Sequence, residues 1–154
     1  MQLSEFLDFD AIKTSLSGGN KRSLLQQLAS LAGQRLGMDS AAILASLSER
    51  ERLGSTGLGQ GVAIPHGKVE GLGRIYGLFV RLAEPLDYKA LDRQPVDLVF
   101  LLLSPPEAGA EHLKALAAIS RVTRHAATLE KMRGARSRDA LAAVLMGADE
   151  RDAA

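Results

Sequence analysis

Two rhythms of apolar residues divide the chain, one spaced for helices and one for strands. The alternation Ile12, Thr14, Leu16 predicts a short strand ending at the Gly18-Gly19 turn. Beyond Asn20, a residue suited to cap a helix, Leu24, Leu25, Leu28, Leu31, Ala32 and Leu36 fall on one helical face, and Gly37 supplies the stop. A second helix is expected to start at Asp39 or Ser40, to bury Ile43, Leu44 and Leu47, and to end near Leu53 with Gly54 behind it. Arg50 sits in its last turn, where the partly negative helix end favours a cation.

The helical rhythm then breaks. Residues 54–61 read GSTGLGQG, with glycine at 54, 57, 59 and 61, which predicts a shaped loop with backbone conformations closed to other residues. A short apolar segment, 62–64, halts at Pro65. The apolar runs 75–82 and 96–103 read as strands, and the unbroken LVFLLL requires burial on both faces, in the middle of a sheet. The connection 83–95 is too long for a two-residue turn and holds Pro85 and Pro95. It predicts a looped hairpin rather than a helical crossover, and therefore a mixed sheet. After Ser104-Pro105-Pro106 a helix should begin between Glu107 and Glu111, with Leu113, Leu116, Ala117 and Ile119 on one face and His112 in its first turn. Further helices are expected over 126–132 and 137–146, with a stop at Gly147 and a frayed tail from about residue 148. Helices on either side of a block of apolar strands predict one α/β domain over 1–154, a mixed β-sheet between helix layers.

Composition narrows the class. The 154 residues are 46% hydrophobic and 24% charged, the balance of a soluble globular domain rather than a disordered chain. A net charge of +1 provides no overall field toward nucleic acid or anionic lipid. Cysteine is absent, which excludes disulfides, zinc ribbons, Fe–S clusters and thiol nucleophiles, and fits a cytoplasmic setting. The longest hydrophobic run, 98–103, is far short of the ~20 residues of a membrane helix, so neither membrane insertion nor a signal peptide is expected. Arg121, Arg124, Lys131, Arg133, Arg136 and Arg138 against Glu130 form one basic stretch. With no aromatics among them, a solvated face or protein-docking patch is favoured over a nucleic-acid site.

Candidate chemistry falls to His66, His112 and His125, the hydroxyls, the carboxylates and the lysines. Their spacing shows no local metal-ligand pattern, and no cofactor is expected. Five residues rather than four separate Gly61 from Gly67, and Val69 stands where a P-loop needs a hydroxyl. Gly57-Leu58-Gly59 fails to continue into a dinucleotide fingerprint, and no G-x-S-x-G elbow is present. His66 follows the glycine-rich loop and is flanked by Pro65, Gly67 and Lys68, so donors can approach a neutral imidazole closely. The alternative is a histidine at a strand end that merely satisfies a backbone carbonyl.

The stretch ERERLGSTGLGQGVAIPHGK at 49–68 closely resembles the active-site region of the mannitol/fructose/nitrogen-regulatory IIA proteins of the bacterial phosphotransferase system. RQPVDLVFLLL at 93–103 and Glu111-His112-Leu113 look like the same family's core strand and second histidine. GSTG followed by AIPHGK is most like the nitrogen-regulatory branch, although fructose-type domains share much of the pattern. The resemblance implies an α/β/α fold and a phosphoryl group accepted on His66 from a histidine-phosphorylated, HPr-like carrier protein. It also implies a second active-site histidine at His112 and a guanidinium at Arg50, with Ser55, Thr56 and Lys68 as secondary phosphoryl-stabilising candidates. Regulatory target proteins such as kinases or transporters are the partners implied for the nitrogen-regulatory branch. A fructose- or mannitol-type IIB acceptor is the alternative, and a non-catalytic binding module is a third reading. An apolar docking surface around the site is expected at Leu58 and Val62.

Overall fold

A computed structural model describes residues 1–153. Two single-turn 3-10 segments, Leu3–Glu5 and Phe9–Ala11, precede β1 (Lys13–Leu16) and the helix pair α1 (Lys21–Leu36) and α2 (Ser40–Arg52). Local chemistry sets the helix ends. The Asn20 side chain accepts the Ser23 amide at 2.8 Å, and Gly37 closes α1 at φ 65°, a conformation that carries no side-chain penalty in glycine. Asp39 caps α2 through the Ala41 amide at 3.0 Å. Ile43 and Leu47 are fully buried, whereas Leu44 is half-buried at the edge of the layer.

The GSTGLGQG stretch is not loop throughout. β2 (Gly57–Gly59) and β3 (Val62–Ala63) pair antiparallel across Gln60 and Gly61, whose φ values of 57° and 81° give the two left-handed residues of a tight hairpin turn. Strands of two and three residues carry no alternation from which sequence could predict them. β4 (His66–Lys68), β5 (Tyr76–Leu86) and β6 (Val96–Ser104) complete the sheet, followed by α3 (Ala110–Thr123), α4 (Ala126–Gly134) and α5 (Arg138–Ala153).

The strand order is β1-β5-β6-β3-β2, with β4 also paired to β6. β5 and β6 form the expected looped antiparallel hairpin, while β3 and β4 run parallel to β6. β5 extends to Leu86 through Pro85, a position expected in the loop. The ladder is irregular between Arg81 and Leu86, where a missing amide donor is tolerated.

Every residue of LVFLLL is fully buried, and the two faces of β6 explain both helix layers. Val99, Leu101 and Leu103 share a core with Leu24, Leu28, Ile43 and Leu47 of α1 and α2. Leu98, Phe100 and Leu102 pack with Ile119, Met132, Leu141 and Leu145 of α3, α4 and α5. Burial of each such side chain contributes about 1.5–3 kcal/mol, so this one strand anchors the α/β/α sandwich from both sides.

Two helical expectations are corrected. In α3 the buried face is Ala115, Ala118, Ile119 and Val122; Leu113 is 65% exposed and Ala117 is also exposed. The expected stop at Gly147 is absent. α5 continues through Gly147 to Ala153, and the buried Asp149 carboxylate accepts the amides of Leu3 at 2.6 Å and Ser4 at 3.2 Å. Ala148 and Asp149 are held by burial and by these long-range bonds, which a local stop signal cannot reveal; Ala154 lies outside the described residues.

Candidate functional site

Three elements bring the predicted histidines and arginine together. Pro65 and the parallel pairing of His66 with Leu102 fix the start of β4, and α2 packs directly over it. Ser46 of α2 donates to the Lys68 carbonyl at 2.7 Å, and a Cβ on Gly67 would run into Ser46, so only glycine lets the helix come this close. One turn beyond Ser46, Arg50 reaches Nε2 of His66.

The half-buried His66 ring is fixed at both nitrogens. Its Nδ1–H donates to the Ile64 carbonyl at 2.7 Å, a partner that can only accept and therefore fixes the proton on Nδ1. Nε2 is left with its lone pair and lies 3.2 Å from Arg50 Nε. Arg50 is itself steered by donation from Nη1 to the Gly54 carbonyl at 2.9 Å. His66 thus satisfies a backbone carbonyl, as the alternative reading expects, and still presents the Nε2 lone pair to a cation. Burial, with the nearby Arg50 charge, pulls its pKa below the ordinary 6.5 against the opposing Ile64 bond.

His112, in the first turn of α3, stands with its ring centroid 5.5 Å from that of His66 at an interplanar angle of 51°. Its Nδ1 is 2.6 Å from the hydroxyl of Ser104, the last residue of β6. Burial first, then His66 and Lys68, lowers its pKa, so both rings are held toward neutrality. Lys68 pairs in register with Ser104 and stays exposed beside the site.

The two hydroxyl candidates have partners within the loop and around it. Thr56 is buried, and its hydroxyl is engaged with the Glu51 carboxylate and the Tyr88 hydroxyl. Ser55 Oγ accepts the Gly57 amide at 3.1 Å. Glu51, which sequence reasoning did not single out, organises this loop. Its carboxylate takes the Thr56 amide at 3.2 Å, the Tyr88 hydroxyl at 2.9 Å and Lys21 Nζ at 2.7 Å. Burial opposes its ionisation, but the bonds from Lys21, Thr56 and Tyr88 outweigh it and hold the carboxyl below its usual range. The next hairpin is pinned as well: Gln60 N donates to Asp92 at 3.0 Å and Gln60 O accepts Arg133 Nη2 at 2.7 Å. Glu51, Tyr88 and Ser104 stand far from the motif in sequence or inside it without a distinctive spacing, so no local signal marked them.

Val62 is 1% exposed and belongs to the core, which removes it from the expected docking surface. Leu58 is 51% exposed, and Leu53 after the end of α2 and Leu113, next to His112 in sequence, are exposed as well. The basic stretch is partly consumed within the fold, with Arg133 on Asp97, Arg121 on the Met1 carbonyl and Arg138 on the Asp10 carbonyl. His125 lies at the N-terminal boundary of α4, in sequence away from the paired histidines. Among the described residues, no group of three or more His, Asp or Glu is placed to hold a metal ion, and no helix is long and apolar enough to cross a membrane.

Residues 5–147 match the family model described as phosphoenolpyruvate-dependent sugar phosphotransferase system, EIIA 2. A nitrogen regulatory protein of Bradyrhizobium diazoefficiens is 46% identical over 145 residues, covering 94% of this chain and 95% of that one. The crystal structure of nitrogen regulatory protein IIA-Ntr from Neisseria meningitidis superimposes with a TM-score of 0.87 at 35% identity, over 93% of this chain and 98% of that one. The fold is shared at 16% identity, with a TM-score of 0.77 over 90% of this chain and 95% of that one, by a structure of the complex of IIAMtl and phosphorylated IIBMtl from Escherichia coli. A family match over nearly the whole length and these relatives agree: the chain belongs to the EIIA 2 family of the phosphotransferase system and is similar to its nitrogen regulatory proteins.

Proposed function

We propose that the protein is a cytoplasmic regulatory phosphocarrier. His66 Nε2 takes a phosphoryl group from a histidine-phosphorylated, HPr-like carrier, and the resulting charge state governs binding to regulatory targets such as kinases or transporters. The observation that carries this reading is the Nδ1–H bond to Ile64, which leaves the Nε2 lone pair unprotonated beside Arg50.

In the transfer, the His66 Nε2 lone pair forms the new N–P bond as the donor's N–P bond breaks, and the donor nitrogen keeps that electron pair. No proton need move. Positive charge growing on the His66 ring is stabilised at Nδ1–H by the Ile64 carbonyl. Arg50 supplies positive charge to the equatorial phosphoryl oxygens, and His112 serves as a second stabilising group. Lys68 adds positive charge at the rim. Thr56, and Ser55 with it, support the loop rather than the phosphoryl group.

The added phosphoryl group carries about −1.5 to −2 charge, and the segments that build the site also carry the exposed Leu53, Leu58 and Leu113. A partner that docks on those leucines in one state meets a desolvated dianion in the other, which supports a binding switch. Transfer onward to a sugar-specific IIB is the second reading. It is supported by the fold shared with IIAMtl, whose complex with phosphorylated IIBMtl is known.

The test is incubation with phosphoenolpyruvate and the general phosphotransferase proteins, followed by phosphopeptide mapping and challenge with IIB acceptors. One acid-labile phosphoryl group on His66, absent from His66→Ala, is the expected result. Labelling of His66→Ala to the wild-type extent would overturn the assignment. Rapid loss of the group to a fructose- or mannitol-type IIB would favour transport, and no labelling at all would favour a binding module.

A further inference from the structure

The two histidines are held by partners of opposite hydrogen-bonding capacity. Ile64 offers His66 a carbonyl, which accepts only. Ser104 offers His112 a hydroxyl, which can accept or donate, so the distance of 2.6 Å alone does not say where the ring proton lies.

Burial decides it. Ser104 is 0% exposed at the end of the central strand, and its hydroxyl has a hydrogen bond, among the described residues, with His112. Were His112 to donate from Nδ1, the serine proton would be enclosed in the protein without an acceptor. That arrangement leaves a buried donor unsatisfied, which native structures rarely tolerate. With the serine donating to Nδ1, both groups are satisfied, and the proton of the neutral ring must reside on Nε2. The backbone around Ser104 is fixed independently: its carbonyl accepts the Val69 amide at 2.9 Å, and the residue pairs in register with Lys68.

We infer that Ser104 is a positioning residue that donates to His112 Nδ1 and thereby locks His112 as the Nε2–H tautomer, opposite to that of His66. The inference rests on the phosphocarrier reading for its consequence. His66 presents an Nε2 lone pair, a nucleophile, while His112 presents an Nε2–H, a hydrogen-bond donor for a phosphoryl oxygen and a poor competitor for the phosphorus. Two chemically identical side chains with ring centroids 5.5 Å apart acquire different roles from their partners at Nδ1 alone. The assignment also explains why one ring is tied to a backbone carbonyl and the other to a side-chain hydroxyl.

The tautomers are read from long-range ¹⁵N–¹H correlations of ring-labelled, unphosphorylated protein, with signals assigned through His66→Gln and His112→Gln. Expected are a protonated Nδ1 on His66 and a protonated Nε2 on His112; a protonated Nδ1 on His112 would overturn the inference. In Ser104→Ala the His112 signal should lose this single-tautomer pattern. The maximal rate of His66 phosphorylation should fall by roughly tenfold, the size of effect of losing a group that orients a functional histidine. The KM for the carrier protein should hardly change, and Ser104→Thr, which restores a hydroxyl, should recover the tautomer and most of the rate. A Ser104→Ala protein with the wild-type His112 tautomer and rate would also overturn it. If wild-type protein shows the expected tautomers yet takes up no phosphoryl group from the carrier, the phosphocarrier reading fails, and the role of Ser104 in transfer fails with it.

Discussion

Arg50 Nε–H lies 3.2 Å from His66 Nε2, so a cation stands against the one ring atom that carries a free electron pair. This contact lowers the proton affinity of His66, and under the phosphocarrier reading the same guanidinium would also meet the phosphoryl oxygens. Replacing Arg50 by Ala should therefore raise the pKa of His66, measured by NMR titration. The same variant should slow its phosphorylation by roughly 10²–10³-fold. An unchanged pKa and rate would remove Arg50 from the site.

The pH dependence has a definite sign. His66 and His112 both have folded pKa values below the ordinary 6.5, chiefly through burial. Just below that pH the folded protein binds fewer protons than the unfolded chain, so stability is full above 6.5 and falls as the pH drops through the depressed folded values. The urea midpoint should decrease between about pH 7.5 and about pH 5.5. It should decrease less in a His66→Gln/His112→Gln protein, and equal slopes would contradict the assignment. Phosphorylation should slow over the same interval as the acceptor lone pair is lost to protonation.

Removing the Glu51 side chain should be costly. Glu51→Ala strands Lys21, the Tyr88 hydroxyl and the Thr56 amide around a site where the carboxylate side chain is 7% exposed. Breaking such a buried arrangement costs about 3 kcal/mol. Chemical denaturation should show a loss of that order, and the loosened 54–57 loop should slow phosphorylation as well. A loss under about 0.5 kcal/mol, the size of an ordinary surface substitution, would mean that the cluster is not a structural clamp.

Asp149→Ala tests the far end of the fold. It leaves the buried Leu3 amide without its acceptor, which costs about 1–3 kcal/mol. Faster hydrogen exchange at Leu3 and Ser4, with the site amides little affected, is the expected pattern. Unchanged exchange at both residues would show that the carboxylate does not hold the N-terminal segment.

The helices around Asn20, Gly37 and Asp39 and the central strand were legible because their signals are local: a cap, a left-handed stop, an uninterrupted apolar run. The resemblance in 49–68 located His66 and Arg50, and the fold brings them within hydrogen-bonding distance of each other. Other features depended on distant contacts. α5 extends past Gly147 because Asp149 finds amides at the opposite end of the chain. Thr56 turns inward because Tyr88 and Glu51 meet it there, and Ser104 acquires meaning only when α3 places His112 above it. Val62 reads as a surface contact in one dimension and is a core residue once β3 lies against β6.

His66, at the start of a three-residue strand, has no register of its own; β4 takes its position from Leu102, Leu103 and Ser104 across the ladder. A slip of one residue would turn the imidazole to the opposite face of the sheet. On the proposed function, chemical competence is therefore a readout of the native ensemble: a molecule whose central strand has come apart has no correctly aimed acceptor. Under the phosphocarrier reading, the fraction of a sample that can be charged counts its folded molecules, and loss of chargeable protein during heating should track loss of the core.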